Sequence, residues 1–212
     1  MDLQSLGWNF FFEEHFQPYR PAGLLPARVA VENGSLYSLI GEEGGMTARC
    51  SGRFLHHICD RAEMPAVGDW VACTRRTATD RVDIQAVLPR LTRFSRGAAG
   101  PETSEQVVAS NIDTLFIVTG LDQNYNLRRI ERYLAVANES GADPVIILNK
   151  TDLCPEADER LADVQAIAHG TPVIAVSAAT GRAVDQVKSL IRPGKTVALL
   201  GSSGVGKSTL AN

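Results

Sequence analysis

The tightest constraint on this chain lies close to its end, where Gly201-Ser-Ser-Gly-Val-Gly-Lys-Ser208 follows directly on Lys195-Thr-Val-Ala-Leu-Leu200. Every fixed position of G-x-x-x-x-G-K-[ST] is filled, and the apolar run before it reads as a buried parallel strand. Gly201, Gly204 and Gly206 let the backbone take turns closed to residues with a Cβ, so that successive N–H groups from Gly204 to Thr209 can face phosphate oxygens. Ser202, Ser203 and Val205 complete the loop. Lys207 has the reach to neutralise β- and γ-phosphate charge, and the Ser208 hydroxyl is of the type that takes a Mg²⁺ position. A helix beginning near Lys207 would add its positive end to this cradle. The competing reading is a glycine-rich strand-to-helix turn that binds nothing.

With 212 residues, 44% hydrophobic and 21% charged at a net charge of −3, the chain has the composition of a globular protein with room for one large or two small domains. No apolar run approaches a membrane span, no signal peptide is evident, and no membrane partner is expected. Cys50, Cys59, Cys73 and Cys154 are scattered without a C-x-x-C pair. They read as buried thiols in a reducing cytosol rather than as zinc ligands or disulfides.

From the start, Leu6, Trp8, Phe11, Phe12 and Phe16 make an aromatic stretch in which Asn9 to Gln17 suits a short amphipathic helix. Packing on the following domain and docking to a partner both account for it. Pro18, Pro21 and Pro26 read as a linker, giving an N-terminal arm over 1–26. Between 27 and 90 short alternating segments take over: 27–32, 35–40 beyond an Asn33-Gly34 turn, 46–50, 69–74 and 81–88. Five strands in so few residues fit a small antiparallel barrel of OB type, with an SH3-like barrel as the alternative. Its basic residues are all arginines. Arg49, Arg53 and Arg76 are the candidates for RNA contact, alongside Arg61, Arg75 and Arg81; with acidic residues about as frequent, they also read as a charge-balanced surface. A glycine-rich connector over 91–108 follows. The arginines of Arg90 to Arg96 suit either phosphate or the carboxylates of the next domain.

From 109 to 212 the pattern is βαβα. Strands near 112–119, 144–148, 171–176 and 195–200 alternate with helices near 126–140, 156–169 and 183–191, which predicts a parallel sheet covered on both faces. Asn149-Lys150-Thr151-Asp152 stands at the C-terminal end of the second strand, where such sheets bind ligands. An Asp carboxylate there accepts from N1–H and the 2-amino group of guanine, and adenine offers neither donor in that geometry. Asn149 can bond the base edge and tie loops together, and the Lys150 stem can lie over the base. Capping of the next helix would explain a Thr or an Asp, but not the tetrad. Ser177-Ala178, just past the third strand, offers a backbone N–H to a guanine O6.

In the usual small GTPase the phosphate loop comes first; here the order is Asn149–Asp152, Ser177-Ala178, then Gly201–Ser208. With a barrel ahead of it, this permuted order resembles the ribosome small-subunit-dependent GTPase A family (RsgA/YjeQ/YloQ type). Gly23-Leu-Leu-Pro-Ala-Arg-Val29, Val67-Gly-Asp-Trp-Val71, Leu88-Pro-Arg90 and Ala109-Ser-Asn-Ile-Asp113 match as well. The resemblance implies an OB-like barrel followed by a circularly permuted α/β P-loop GTPase domain, with GTP/GDP and Mg²⁺ as ligands. It further implies a cytoplasmic, monomeric protein that acts late in maturation of the small ribosomal subunit, touches 16S-type rRNA through the barrel, and is stimulated by the subunit. An RNA-binding adaptor whose nucleotide domain docks without turnover is the alternative.

Members of the family continue past the phosphate loop with switch segments, a D-x-x-G motif and a Zn²⁺-binding C-terminal domain. The domain is therefore expected to be incomplete after Asn212, the water-positioning residue to lie beyond it, and the 212-residue chain alone to be inactive. Ala183 stands where the family more often has glycine, a change expected to be harmless.

Overall fold

The computed structural model describes residues 1–75, 81–97 and 105–212, which form two compact units, Met1–Ile112 and Asp113–Asn212. In the first unit, helix α1 (Phe10–Phe16) starts at Asn9, whose Oδ1 accepts from the Phe11 and Phe12 amides. A 3₁₀ segment (Gln17–Ala22) follows without a break; Pro18 sits in its first turn, where a missing N–H costs nothing. The aromatic stretch packs inward. Phe12 and Phe16 are buried with Trp70 and Leu88, and Trp8 meets Trp70 edge-on at 4.7 Å between ring centroids. Of the apolar residues of this helix only Phe10 is largely exposed, at 81%.

The next five strands are β1 (Leu25–Asn33), β2 (Leu36–Gly41), β3 (Gly44–Cys50), β4 (Trp70–Arg75) and β5 (Arg81–Val87), with helix α2 (Gly52–His57) after β3. They close a barrel in the order β1-β2-β3-β5-β4. The β3–β5 pair is parallel and its neighbours are antiparallel. This is the five-stranded Greek-key closure of an OB barrel rather than an SH3-like one. Period-two alternation explains why β4 is buried on both faces from Trp70 to Cys73. Val71 and Cys73 point into the barrel with Ala27, Val29, Leu39 and Ile84. Trp70 and Ala72 point out, beneath α1.

Three stretches that look unrelated in sequence are knotted together below the barrel. Gly68 has φ +94°, and a Cβ on it would lie 2.1 Å from the Ser110 carbonyl oxygen. The fully buried Asp69 carboxylate accepts from Arg90 Nε at 2.8 Å and Nη2 at 2.7 Å, from Ser110 Oγ at 2.5 Å and from the Ala66 amide at 2.8 Å. Arg90 also donates to the carbonyls of Ala62 and Met64. Its guanidinium is thus held inside the first unit and serves neither of the two roles expected of it. Within the stretch read as a connector, β6 (Arg93–Gly97) and β7 (Glu105–Ser110) pair antiparallel. All four cysteines are free. Cys73 is buried, and burial pushes its thiol up to about 12, whereas Cys59 is exposed rather than buried.

The second unit contains β8 (Thr114–Gly120), α3 (Leu127–Ser140), β9 (Asp143–Asn149), α4 (Ala157–Ile167), β10 (Val173–Ala175), α5 (Val184–Ser189), β11 (Val197–Leu200) and α6 (Lys207–Ala211). The sheet is wholly parallel in the order β10-β9-β8-β11, so the strand before the phosphate loop stands at its edge. Phe116, Val118, Val145 and Ile147 cover one face with Val187 of α5 and Val205. The alternate residues Leu115, Ile117, Ile146 and Leu148 are equally buried, and α3 turns Ile130, Leu134 and Ala137 inward. Ala183, ahead of α5, takes φ +59°, a left-handed conformation that glycine adopts without cost and alanine does not.

Candidate nucleotide-binding site

Three loops meet at the C-terminal edge of the parallel sheet, and Asn149 joins them. It ends β9 with 3% of its surface exposed. Its Nδ2 donates to the Val205 carbonyl of the phosphate loop at 2.9 Å, and its Oδ1 accepts from the Ala178 amide at 2.9 Å. Its carbonyl accepts from Leu121 N–H at 2.8 Å. Residues 149, 178 and 205, far apart in sequence, are thereby held within one side chain's reach. The Ala178 N–H expected to face a base oxygen is engaged by Asn149 in this structure.

The glycines of the phosphate loop have separate reasons. Gly204 and Gly206 have φ +79° and +95°, as a turn of this kind requires. Around Gly204 there is open space, whereas a Cβ on Gly206 would meet Asn149 Nδ2 at 2.2 Å. Gly201 is required by close approach, because its Cβ would lie 2.3 Å from the Val118 carbonyl oxygen. Val205 is fully buried and roots the loop in the core; its side chain faces away from any ligand. Lys207 Nζ donates to the carbonyls of Gly201 and Ser202, each at 2.8 Å, which folds the cation back across the loop. Ser203, Ser208 and Thr209 are exposed, and the Ser208 hydroxyl makes no hydrogen bond among the described residues. A turn too tight for a Cβ, a cation held across it and a free hydroxyl beside that cation suit a bound phosphate with Mg²⁺.

On the base side, Asp152 lies in a 3₁₀ turn (Thr151–Leu153) and is exposed. Its Oδ1 accepts from the buried Ser177 Oγ at 2.5 Å, which aims the carboxylate and leaves Oδ2 open. Lys150 adopts φ +68° and sends its Nζ to Asp122 Oδ2 at 2.6 Å, so its stem is fixed at both ends. The Lys150 hydrogen bond, reinforced by the Asn124 amide, holds the Asp122 carboxyl below the usual carboxylate range.

Two residues of this constellation were not singled out from the sequence. Asp122 follows β8 at the same sheet edge as Asn149, and that position is the only signal it carries. Arg129 belongs to the first turn of α3, where its amide is capped by Asn126 Oδ1. Its Nη1 donates to Ser202 Oγ at 3.1 Å, and no carboxylate pairs with it among the described residues. A half-buried cation therefore sits against the phosphate loop. In the barrel, Arg49 and Arg53 are exposed on the first unit, as an RNA contact needs, and Arg76 lies outside the described residues.

A family model described as RsgA GTPase matches residues 87–212. The chain is 51% identical over its whole length to the small ribosomal subunit biogenesis GTPase RsgA of Opitutus terrae, and 44% identical to the protein of the same name from Syntrophotalea carbinolica. It spans 60% of the length of each of these relatives. Among solved structures it is similar to YjeQ from Thermotoga maritima, with a TM-score of 0.70 at 24% identity, over 89% of this chain and 64% of that one. It is also similar to YloQ, described as a circularly permuted GTPase, with a TM-score of 0.65 at 19% identity, over 88% of this chain and 62% of that one. These likenesses agree with the barrel and permuted sheet described above.

Proposed function

The chain belongs to the RsgA GTPase family, and on that premise we propose that its second unit binds GTP and GDP, and that the protein hydrolyses GTP during biogenesis of the small ribosomal subunit. One observation carries this reading: Asn149 hydrogen-bonds the phosphate loop and the Ser177-Ala178 loop at once, so the base-reading and phosphate-holding elements form one preorganised site.

Asp152 selects guanine by accepting from N1–H and the 2-amino group, with Ser177 holding its orientation. The fixed Lys150 stem offers an apolar surface to the base. The phosphates lie on the amides of Gly204 to Thr209, and Lys207 supplies positive charge where it develops in the transition state. Ser208 would hold Mg²⁺, which neutralises β- and γ-phosphate charge.

The same reading makes the protein cytoplasmic and monomeric, acting late in subunit maturation. The barrel contacts 16S-type rRNA through Arg49 and Arg53, and docking on the subunit stimulates turnover. GTP turnover by the complete protein, with and without small ribosomal subunits, tests this. Turnover that rises on addition of subunits supports it. Turnover absent under both conditions leaves an adaptor that docks without hydrolysis.

A further inference from the structure

The barrel unit carries a hollow that the nucleotide site does not use. It has a volume of about 590 Å³ and is lined by Tyr19, Arg53, Phe54, His57, Thr74 and Gln85, with Leu24 and Ala86 filling gaps. Two aromatic rings, two groups able to carry positive charge and, among the described residues, no carboxylate make a lining suited to an anion with a flat apolar part. The elements around it are fixed. Ser51 caps α2 by accepting from the Phe54 amide at 3.1 Å, and the His57 ring is pinned by an Nδ1 contact with the Arg53 carbonyl at 2.6 Å. Gln85 donates to Thr74 Oγ1 and accepts from Ser51 Oγ, each at 3.1 Å, which leaves its second N–H for a ligand.

At the other end of α2 lies a second hollow of about 140 Å³, lined by Arg49, Ser51, Arg81 and Asp83 among others. Ser51 lines this one and Gln85 the larger, so the Ser51–Gln85 hydrogen bond joins the two floors. The small hollow has room for little more than a phosphate group. Its two arginines outnumber the Asp83 carboxylate.

We infer that the surface around α2 is a nucleotide subsite for unpaired RNA, with a base in the larger hollow against Tyr19 and Phe54 and backbone phosphates beside Arg53 and Arg49. This rests on the reading of the barrel as the rRNA-contacting unit, and it names the chemistry that contact uses. Aromatic stacking tolerates any base, and the bases of a duplex are not available to it, so the preference is for single strands over duplex.

The test is fluorescence anisotropy of a labelled single-stranded oligoribonucleotide with the complete protein over a range of KCl concentrations. Phe54→Leu, which keeps apolar bulk and removes the ring, is expected to weaken binding about tenfold with the salt slope unchanged. Arg53→Ala is expected to flatten the slope by about 0.7, one single-strand phosphate contact. His57→Ala, at an exposed position, provides a variant without packing cost should Phe54→Leu unfold, and is expected to weaken binding severalfold. Photo-crosslinking of a 4-thiouridine oligonucleotide should label the Tyr19 or Phe54–His57 peptides. If the wild-type protein binds RNA while these variants leave affinity and slope unchanged, or the cross-links fall only elsewhere, the subsite is wrong and the rRNA reading stands. If the wild-type protein binds no RNA, both fall together.

Discussion

A Cβ on Gly206 would lie 2.2 Å from Asn149 Nδ2, which is itself bonded to the Val205 carbonyl. The Gly201–Ser208 loop thus passes against the Asn149–Asp152 loop with no room for a methyl group. Asn149 cannot swing away without breaking its bonds to Val205 and Ala178. Gly206→Ala is expected to destabilise the second unit by about 1–3 kcal/mol through strain at positive φ and displacement of Asn149, and to weaken GDP binding. Gly204→Ala, also at positive φ but in open space, should cost about 1 kcal/mol. Urea denaturation of both variants, with GDP titration, gives the comparison; equal losses would mean that the approach of the two loops does not matter.

The Asp122–Lys150 pair predicts an acid dependence. Because the folded-state pKa of Asp122 lies below its ordinary value of 3.8, the pair's contribution is fully present above that value and is lost as pH falls through the lower, folded one. Asp122→Asn should therefore be less stable than the wild type at neutral pH, with the difference shrinking once pH drops below about 4. Denaturation midpoints of the two proteins against pH check this. A constant difference down to strong acid would mean that the carboxylate is not held by Lys150.

Arg129 places beside Ser202 a cation that no carboxylate neutralises among the described residues. Arg129→Leu is expected to weaken binding of GDP about tenfold, since a charge-assisted hydrogen bond contributes about 1.5–3 kcal/mol and only part of it is realised at the ligand. Arg129→Lys should recover part of the loss through charge alone. Isothermal titration of the three proteins at low and high KCl separates charge from packing, because only a charge effect shrinks with salt.

The sequence made the periodic and the local features legible. Alternating residues located all five barrel strands, and the apolar runs located those of the sheet; the glycine spacing and the Asn149–Asp152 tetrad pointed to the two loops that Asn149 joins. Partners chosen over long distances left no such trace. Arg90 finds Asp69 across the barrel closure, and Arg129 finds Ser202 only once α3 lies along the sheet. No periodicity encodes either pair. Backbone conformation at single positions was equally hidden. Ala183 looked like a conservative replacement, yet it stands at φ +59°. Ala183→Gly should therefore stabilise the second unit by about 0.5–1 kcal/mol, the relief of left-handed strain less the added freedom of the unfolded chain. A lower denaturation midpoint for the glycine variant would contradict this.

Guanine selectivity, as proposed, rests on Asp152, which Ser177 orients and which Asn149 ties to the Gly201–Ser208 loop. An asparagine at 152 can still accept from Ser177 Oγ, so the fold should be unchanged while one acceptor facing the base becomes a donor. Titrating the complete protein and its Asp152→Asn variant with GTP and with xanthosine triphosphate is the most direct measurement. The variant is expected to lose about 3 kcal/mol, roughly a hundredfold, toward GTP and to bind xanthosine triphosphate better than the wild type does. Equal GTP affinity in the two proteins would contradict it.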